Sequence, residues 1–376
     1  MKRIICFFIC LTTLIPTVYA EGEKNIETDA KSTILIEAST GEVLYEENPD
    51  EQLPIASVTK IMTMLLICEA VDNGKITLED MVPVSENAMS YGGSTMFLEA
   101  GEQLSVNDML KGIAVASAND GCVAMAEFLE GSETAFVDKM NEKAKELGME
   151  NTQFMNTNGL DEDGHYSSAR DVALMSHELL KHPVILNYTT IWTDSLRDGK
   201  FKLANTNKLV RFYSGANGLK TGSTSKALCC ISASAIRDDM QLIAVVLGAP
   251  TSAKRFSSAR ALLDYGFANY RIQKITTANE ELQMVAVSKG VAENVGICAA
   301  EDYSVLKKKS DNTEVATEII CDETISAPIT EGDIIGKMVI TNGDTKKEVN
   351  LIACETVNKK SMIEIITDFL GQLLVG

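Results

Sequence analysis

Apolar and polar positions follow two different periods along the first 270 or so residues of the chain. Residues 33–38 and 43–45 flank a Ser-Thr-Gly turn and predict a β-hairpin. Residues 227–235 and 241–247 flank a polar turn and predict a second hairpin, which a helix over residues 253–270 follows. Strand character therefore lies at both ends of this region.

The region between the hairpins has mainly helical character. One segment, residues 61–71, is apolar at every position except Thr63 and Glu69, which is typical of a helix that is buried on all sides. Helical patterns also cover residues 105–117, 120–129, 133–147 and 172–180. Strands at both ends with helices between them predict an α+β fold, in which one antiparallel sheet carries a helical insertion.

The pattern changes again beyond residue 272. Short strand-like runs separated by turns predict a small all-β domain over residues 273–357. Residues 358–376 form an amphipathic pattern that is too short to span a bilayer, since spanning takes roughly 20 apolar residues. We expect this helix to lie in the membrane interface, and docking on the β domain is the alternative.

The first 20 residues have the organisation of a secretory signal peptide. Lys2-Arg3 precede an apolar run over residues 4–15, and Val18-Tyr19-Ala20 resembles a signal-peptidase cleavage site. We therefore expect cleavage after Ala20, and an uncleaved anchor is the alternative. The net charge is −19, and removing Lys2 and Arg3 makes it −21. Such an acidic chain is a poor candidate for nucleic acid, which rewards clustered Lys and Arg. The sequence predicts an extracytoplasmic protein.

The cysteines and histidines give no sign of a metal site. Two of the nine cysteines lie in the signal segment, and the other seven show no paired spacing, so we expect most of them to be small buried residues. The three histidines are widely separated at positions 165, 177 and 182. We therefore expect no metal and no cofactor.

Candidate chemistry lies at the start of the buried helix. Ser57 and Lys60 are three residues apart, so on a helix their side chains can meet. A lysine that enters a core needs a partner or a lowered pKa, and as a neutral amine it could activate the serine. Reaching neutrality near pH 7 requires a pKa about 3 units below the ordinary value of about 10.4.

Two further motifs gain meaning from their order and context. Ser117-Ala118-Asn119 falls in a break between two predicted helices, and Lys220-Thr221-Gly222 precedes a strand. A Ser-x-x-Lys pattern alone is weak, because it recurs by chance at Ser223 and Ser304. All three motifs in this order resemble the penicillin-recognising serine enzymes.

More narrowly, the sequence resembles the low-molecular-mass penicillin-binding proteins that are D-alanyl-D-alanine carboxypeptidases. Residues 56–63, 117–120, 164–171 and 218–222 carry this resemblance. It implies a β-lactamase/transpeptidase-like catalytic domain over residues 27–272. The β domain and the C-terminal amphipathic helix are also features of that family.

The resemblance implies a role for each motif residue. Ser57 is the nucleophile, Lys60 its base, and Ser117 relays a proton to the leaving amine, although the base in each step stays open. Asn119 orients the lysine and the substrate amide, and Lys220 attracts a terminal carboxylate. The remaining substrate-binding residues are expected to be Thr221, Gly222, Ser223 and Arg255.

Two of these assignments need comment: Ser223 departs from the family pattern, and Arg255 is assigned from its position in the sequence alone. Ser223 stands where many relatives carry His or Tyr, and its backbone N–H would join that of Ser57 in an oxyanion hole. Gly222 would let a substrate strand approach closely. Arg255 falls where relatives place an arginine that contacts the terminal carboxylate, and its alternative role is a solvated helix charge.

The predicted function is removal of the terminal D-alanine from the pentapeptide stems of peptidoglycan through an acyl-serine intermediate. The expected partners are the stem peptide, β-lactam antibiotics and the outer face of the cytoplasmic membrane. Two alternatives remain, a β-lactamase and a non-catalytic penicillin-binding sensor. The extra β domain and the lack of a clear loop glutamate argue against the lactamase.

Overall fold

The computed structural model describes residues 26–367. The predicted signal peptide, residues 1–20, and the last part of the predicted amphipathic segment, residues 368–376, lie outside this range. The strands of the first part of the chain are β1 (Ser32–Glu37), β2 (Val43–Glu47), β3 (Met81–Pro83), β4 (Gln103–Ser105), β5 (Thr193–Leu196), β6 (Phe201–Ala204), β7 (Ala216–Thr224), β8 (Leu228–Arg237) and β9 (Met240–Ala249).

One antiparallel sheet of five strands, in the order β2-β1-β9-β8-β7, organises this part of the chain. Both predicted hairpins are confirmed, as the pairs β1–β2 and β8–β9. The turn of the second hairpin places Asp238 and Asp239 at positive φ, as a tight two-residue connection requires. Among the strands of residues 26–367, β7 pairs with β8 alone and is therefore an edge of the sheet.

Helices cover both faces of this sheet. They are α1 (Lys60–Asp72), α2 (Glu86–Ser90), α3 (Val106–Lys111), α4 (Asn119–Glu130), α5 (Glu133–Glu146), α6 (Ala169–Leu180), α7 (Leu186–Thr189), α8 (Leu209–Phe212) and α9 (Ser252–Asn269). A 3-10 helix (Ala56–Thr59) precedes α1, and a π-helix (Gly112–Ala116) follows α3. The predicted α+β fold is confirmed, because one antiparallel sheet carries a helical insertion.

Two hydrophobic clusters lie on opposite faces of the sheet. The larger cluster surrounds α1, whose side chains Ile61, Met62 and Leu65 have no exposed surface. The smaller cluster lies between the sheet and α9, through residues such as Leu262 and Leu263. Because α1 is buried on all sides, its first residue, Lys60, is held inside the protein.

The second part of the chain is formed by strands. These are β10 (Tyr270–Thr276), β11 (Glu281–Ser288), β12 (Asn294–Ala299), β13 (Tyr303–Lys308), β14 (Ala316–Cys321), β15 (Thr324–Ser326), β16 (Ile334–Asn342) and β17 (Thr345–Ala353). Six of them form a sheet in the order β14-β16-β17-β12-β11-β15, and β10 pairs with β13. The second part of the chain has two hydrophobic clusters, which pack against the six-stranded sheet.

The cysteines differ from the sequence-based expectation at one point. Cys298 at the end of β12 and Cys354 just after β17 form a disulfide, with their Cα atoms 5.6 Å apart. Their separation of 56 residues gives no pairing signal in the sequence, and only the adjacent ends of the paired strands bring them together. Cys68, Cys122 and Cys230 are buried free thiols, as expected.

The described chain ends in the first turns of a helix, residues 362–367. Ser361 Oγ accepts from the Glu364 N–H, and the Glu364 carboxylate accepts from the Ser361 N–H, which is a capping box. Within residues 26–367 no helix has the length and apolar character needed to cross a membrane.

Candidate active site

The turn that carries Ser57 is held between two glycines. A Cβ added at Gly222, on β7, would lie 2.7 Å from Ile55 O and 2.8 Å from Ser57 N. A Cβ added at Gly159 would lie 1.9 Å from Ala56 O. Only glycine allows the strand on one side and the loop on the other to approach this turn so closely. The close neighbour of Gly222 is therefore the serine turn itself.

Lys60 is fully buried, and its ammonium group is surrounded by oxygen acceptors. Nζ donates to Ser57 Oγ at 2.9 Å, to Asn119 Oδ1 at 2.7 Å and to the Asn158 carbonyl at 2.7 Å. One turn of helix separates the lysine from the serine, as the spacing in the sequence predicts. The hydrogen bond from Lys60 to Ser57 is the central feature of the site.

Burial changes the proton affinity of Lys60. Desolvation lowers the pKa of its ammonium group to about 8, although the carboxylate of nearby Asp120 opposes this shift. Burial also raises the pKa of the neighbouring Cys122 thiol to about 12, so the thiol is neutral near pH 7. A pKa near 8 leaves a useful fraction of neutral amine at neutral pH.

Ser117 and Asn119 lie where the chain changes direction between the π-helix and α4. Ser117 adopts a left-handed conformation, with φ of 65°, and this ends the π-helix. Asn119 begins α4, and its side-chain Nδ2 donates to the Gly92 carbonyl at 2.7 Å. Because that contact fixes the amide, Oδ1 is directed at Lys60.

Lys220 lies within β7, and only 1% of its surface is exposed. Its Nζ donates to the Thr221 carbonyl at 2.8 Å. Burial, together with the charge of Lys60, holds the pKa of Lys220 well below its usual range. Burial is the largest cause of the lowered pKa at both lysines, and repulsion by the charge of Lys60 adds to it at Lys220.

The residues after Lys220 have different environments. Thr221 is buried, and its Oγ1 donates to Thr206 Oγ1 at 2.8 Å, which joins β7 to the segment before α8. Ser223 is exposed, with its Oγ 3.9 Å from Cys229 Sγ. Thr221 thus belongs to the wall of the site, and Ser223 to its rim.

Arg255, in the first turn of α9, is buried against the strands that carry the site. Its Nη1 donates to the carbonyls of Gly222 at 3.1 Å and Cys230 at 3.4 Å, and its guanidinium carbon lies 4.6 Å from the centre of the Phe256 ring. Burial lowers the pKa of its guanidinium group. Its Nε is buried without a hydrogen-bond partner in the described chain. Arg255 is therefore not a solvated helix charge.

Sequence reasoning missed three parts of this arrangement. The Asn158 carbonyl accepts from Lys60, but a backbone partner leaves no side-chain signal in a sequence. The Asp120 carboxylate accepts from the backbone of Met96 and Leu98, and its position directly after Asn119 could have drawn attention to it. Thr206 accepts a hydrogen bond from Thr221, and only the folded chain brings these two residues together.

Comparisons with known proteins identify the family of this chain. The family described as D-alanyl-D-alanine carboxypeptidase matches residues 18–251, and the C-terminal domain of penicillin-binding protein 5 matches residues 270–359. The carboxypeptidase DacF of Bacillus subtilis (strain 168) is 45% identical over 99% of this chain and 98% of its own length. The chain belongs to the D-alanyl-D-alanine carboxypeptidase family.

Solved structures of the same family have the same fold. Penicillin-binding protein 5 of Haemophilus influenzae shares 32% identity, with a TM-score of 0.72 over 90% of this chain and 100% of that one. Penicillin-binding protein D2 of Listeria monocytogenes, in its ampicillin-bound form, shares 34% identity, with a TM-score of 0.57 over 65% and 99% of the two chains.

Family membership confirms the function predicted from the three motifs. The protein is a serine-type D-Ala-D-Ala carboxypeptidase and therefore a hydrolase. Neither the β-lactamase nor the sensor alternative is favoured. A second relative, DacC of Escherichia coli (strain K12), is also a D-alanyl-D-alanine carboxypeptidase.

Proposed function

We propose that Ser57 is the nucleophile of this carboxypeptidase and that Lys60, as the neutral amine, takes its proton. The observation that carries this proposal is the 2.9 Å hydrogen bond between Lys60 Nζ and Ser57 Oγ at a fully buried amine. A serine hydroxyl is a weak nucleophile until a base within hydrogen-bond reach activates it. The lowered pKa of Lys60 supports that role.

The proposed reaction has two halves. Ser57 Oγ attacks the carbonyl of the penultimate D-alanine, the peptide C–N bond breaks, and an acyl-serine ester forms. The proton taken by Lys60 passes through Ser117 to the leaving amine of the terminal D-alanine. Water then hydrolyses the ester and regenerates Ser57. Asn119 holds Lys60 through its Oδ1 and orients the substrate amide.

We assign recognition of the terminal carboxylate to the cationic side of the site. Lys220 is buried with its pKa held low, and an arriving carboxylate raises that pKa and so favours the charged ammonium. Thr221 adds a hydroxyl at the same wall. Arg255, buried behind Gly222, contributes positive charge that no carboxylate of the described chain neutralises in an ion pair.

The oxyanion hole is assigned to the backbone N–H groups of Ser57 and Ser223. Gly222 supports this assignment, because its missing side chain lets β7 lie against the Ser57 turn. Removing one such donor, aimed at the developing charge, typically costs 10²–10³ in rate. Ser223, in place of the His or Tyr of many relatives, leaves an exposed hydroxyl at the rim.

The substrate is proposed to be the peptidoglycan pentapeptide stem, and β-lactams are proposed to acylate Ser57 as its mimics. The ampicillin-bound relative from Listeria supports the second point. We retain the domain boundaries 1–20, 27–272, 273–357 and 358–376 as part of the proposal. The separate cores around α1 and along the six-stranded sheet support this division, and the cluster beside α9 extends across residue 272 to Leu306.

We place the protein outside the cytoplasm, with its C-terminal helix in the outer surface of the membrane. Four apolar side chains at the start of this helix are exposed, namely Met362 at 73%, Ile363 at 77%, Ile365 at 40% and Ile366 at 54%. A helix docked on its own β domain would cover them. Lys359 and Lys360 precede them and add attraction to anionic lipid.

One pair of assays separates this proposal from its alternatives. The mature protein is incubated with fluorescent penicillin and, separately, with diacetyl-Lys-D-Ala-D-Ala. Labelling with steady release of D-alanine is the expected result, and Ser57→Ala abolishes both. Labelling without release indicates a sensor, and rapid loss of label with destruction of the antibiotic indicates a β-lactamase. Labelling of Ser57→Ala would contradict the nucleophile assignment.

A further inference from the structure

Arg197 fastens a loop that borders the active site. It lies at the turn between β5 and β6, and its guanidinium donates to the Met96 carbonyl at 2.9 Å and the Phe97 carbonyl at 3.2 Å. The same group pairs with both carboxylate oxygens of Glu102, at 2.6 and 2.8 Å. A two-pronged Arg–carboxylate pair has fixed geometry, so the guanidinium is well positioned to hold the two carbonyls.

The fastened segment, residues 92–98, is also bonded to the catalytic motif. Its Gly92 carbonyl accepts from Asn119 Nδ2, and its Ser94 carbonyl accepts from Asn119 N, both at 2.7 Å. On the inner side, the buried Asp120 carboxylate accepts from the backbone of Met96 and Leu98. This loop, called the 92–98 loop below, therefore fixes which way the Asn119 amide points.

We propose that Arg197 is a positioning residue for the reaction, because it holds the 92–98 loop against Asn119 and thereby keeps Asn119 Oδ1 directed at Lys60. The inference rests on the proposed function, since it assigns Arg197 an effect through the Asn119–Lys60 contact. Arg197 itself touches neither Ser57 nor Lys60 and is not a catalytic residue.

At the outer edge of the loop, Arg197 donates to two successive carbonyls, those of Met96 and Phe97. Phe97 is 74% exposed and adopts a left-handed conformation, with φ of 53°, so burial does not hold it in place. It makes an edge contact with Phe201, whose ring also lies under the Arg197 guanidinium, with the guanidinium carbon 5.7 Å from the ring centre. Removing Arg197 leaves the Met96 and Phe97 carbonyls without this donor and frees the outer edge to move.

The test is a double-mutant cycle on the rate of Ser57 acylation by fluorescent penicillin, with kcat and KM for D-alanine release measured in parallel. Misplacement of a positioned group by about 1 Å can cost about 100-fold, so we expect Arg197→Ala to lower the acylation rate roughly 10- to 100-fold. We expect kcat to fall more than KM changes. In an Asn119→Ala background, Arg197→Ala should have no further effect.

Two controls separate positioning from general stability. Arg170→Ala removes a comparable surface arginine, which pairs with Glu46 and Asp50 away from the site, and should leave the acylation rate unchanged. Glu102→Gln keeps the two carbonyl contacts of Arg197 and should cost less than Arg197→Ala. Thermal unfolding of each variant reports its stability independently of its rate.

The possible outcomes distinguish failure of the inference from failure of the proposed site. If Asn119→Ala lowers the rate but Arg197→Ala does not, or if the two effects multiply, Arg197 is not a positioning residue. If Asn119→Ala itself leaves acylation unchanged, the proposed role of Asn119 fails first. A fall in thermal stability with an unchanged rate would make Arg197 purely structural and overturn the inference.

Discussion

Lys60 combines a charged side chain with a position that has no contact with solvent. Lys60 can be identified from the sequence, because a lysine at the start of an apolar helix conflicts with packing unless it has a catalytic role. Its partners Ser57 and Asn119 can be found in the same way, from spacing and motif order. The Asn158 carbonyl cannot, since every residue has a carbonyl and only the fold brings this one to Lys60.

The pKa of Lys60 predicts how the rate depends on pH. Desolvation lowers that pKa to about 8, and only the neutral amine can accept the Ser57 proton. Below about pH 8, kcat/KM should therefore fall about tenfold per pH unit, and it should level off above that value. A pH–rate profile with the tripeptide substrate measures this.

The control for this profile is a group that titrates in a different pH range. His165 is buried, and its pKa is lowered to about 4. Replacing it with Gln should therefore not change the pH at which kcat/KM levels off, near pH 8. A profile that is flat between pH 6 and 9, or that breaks only in the range of carboxylates, would contradict the role of Lys60.

At the scale of elements, the site forms where the edge strand β7 meets the turn before α1. The hairpins and most helices are predictable, because alternation and helical period are strong in those segments. The close packing of β7 on the Ser57 turn is not predictable from either pattern. It depends on Gly222, whose sequence context suggests an approach by substrate, whereas its nearest neighbours are Ile55 and Ser57.

Gly222→Ala tests this packing. The added Cβ meets backbone atoms at 2.7 and 2.8 Å, and backbone cannot move aside as a flexible side chain can. The turn that carries Ser57 must shift, and we expect the acylation rate to fall about 100-fold.

Gly131→Ala is the matched control, because its Cβ meets nothing within 4 Å. That change costs about 1 kcal/mol of stability through its positive φ and should leave acylation unchanged. Equal effects of the two substitutions on the rate would contradict the packing argument.

At the scale of the whole molecule, a catalytic part, a β part and a C-terminal helix follow one another. This order can be predicted from the sequence, because the pattern of apolar and polar residues changes from one part to the next. The Cys298–Cys354 disulfide is not readable, because its partners are 56 residues apart and meet only through the pairing of β12 with β17. The amphipathic pattern of the C-terminal helix is readable, and the exposed apolar side chains at its start support membrane association.

Changing Met362, Ile363 and Ile366 together to Ser should weaken binding to vesicles that contain anionic lipid by roughly 100-fold or more. Each buried apolar side chain contributes about 1.5–3 kcal/mol to such binding. Cosedimentation of the full chain measures the effect. The matched control changes Val291, Ile320 and Ile334, which are exposed apolar residues of the β part. Unchanged binding of the first variant would contradict the anchor. Release of D-alanine from the soluble tripeptide should be the same in both variants.

The proposed nucleophile, Ser57, is activated by the buried Lys60 and forms the covalent bond to the substrate. Mass spectrometry of a proteolytic digest locates the penicilloyl adduct and so tests this claim. We predict one adduct, on Ser57, that is absent from Lys60→Met at neutral pH. An adduct on Ser117 or Ser223, or full acylation of Ser57 without Lys60, would contradict the claim.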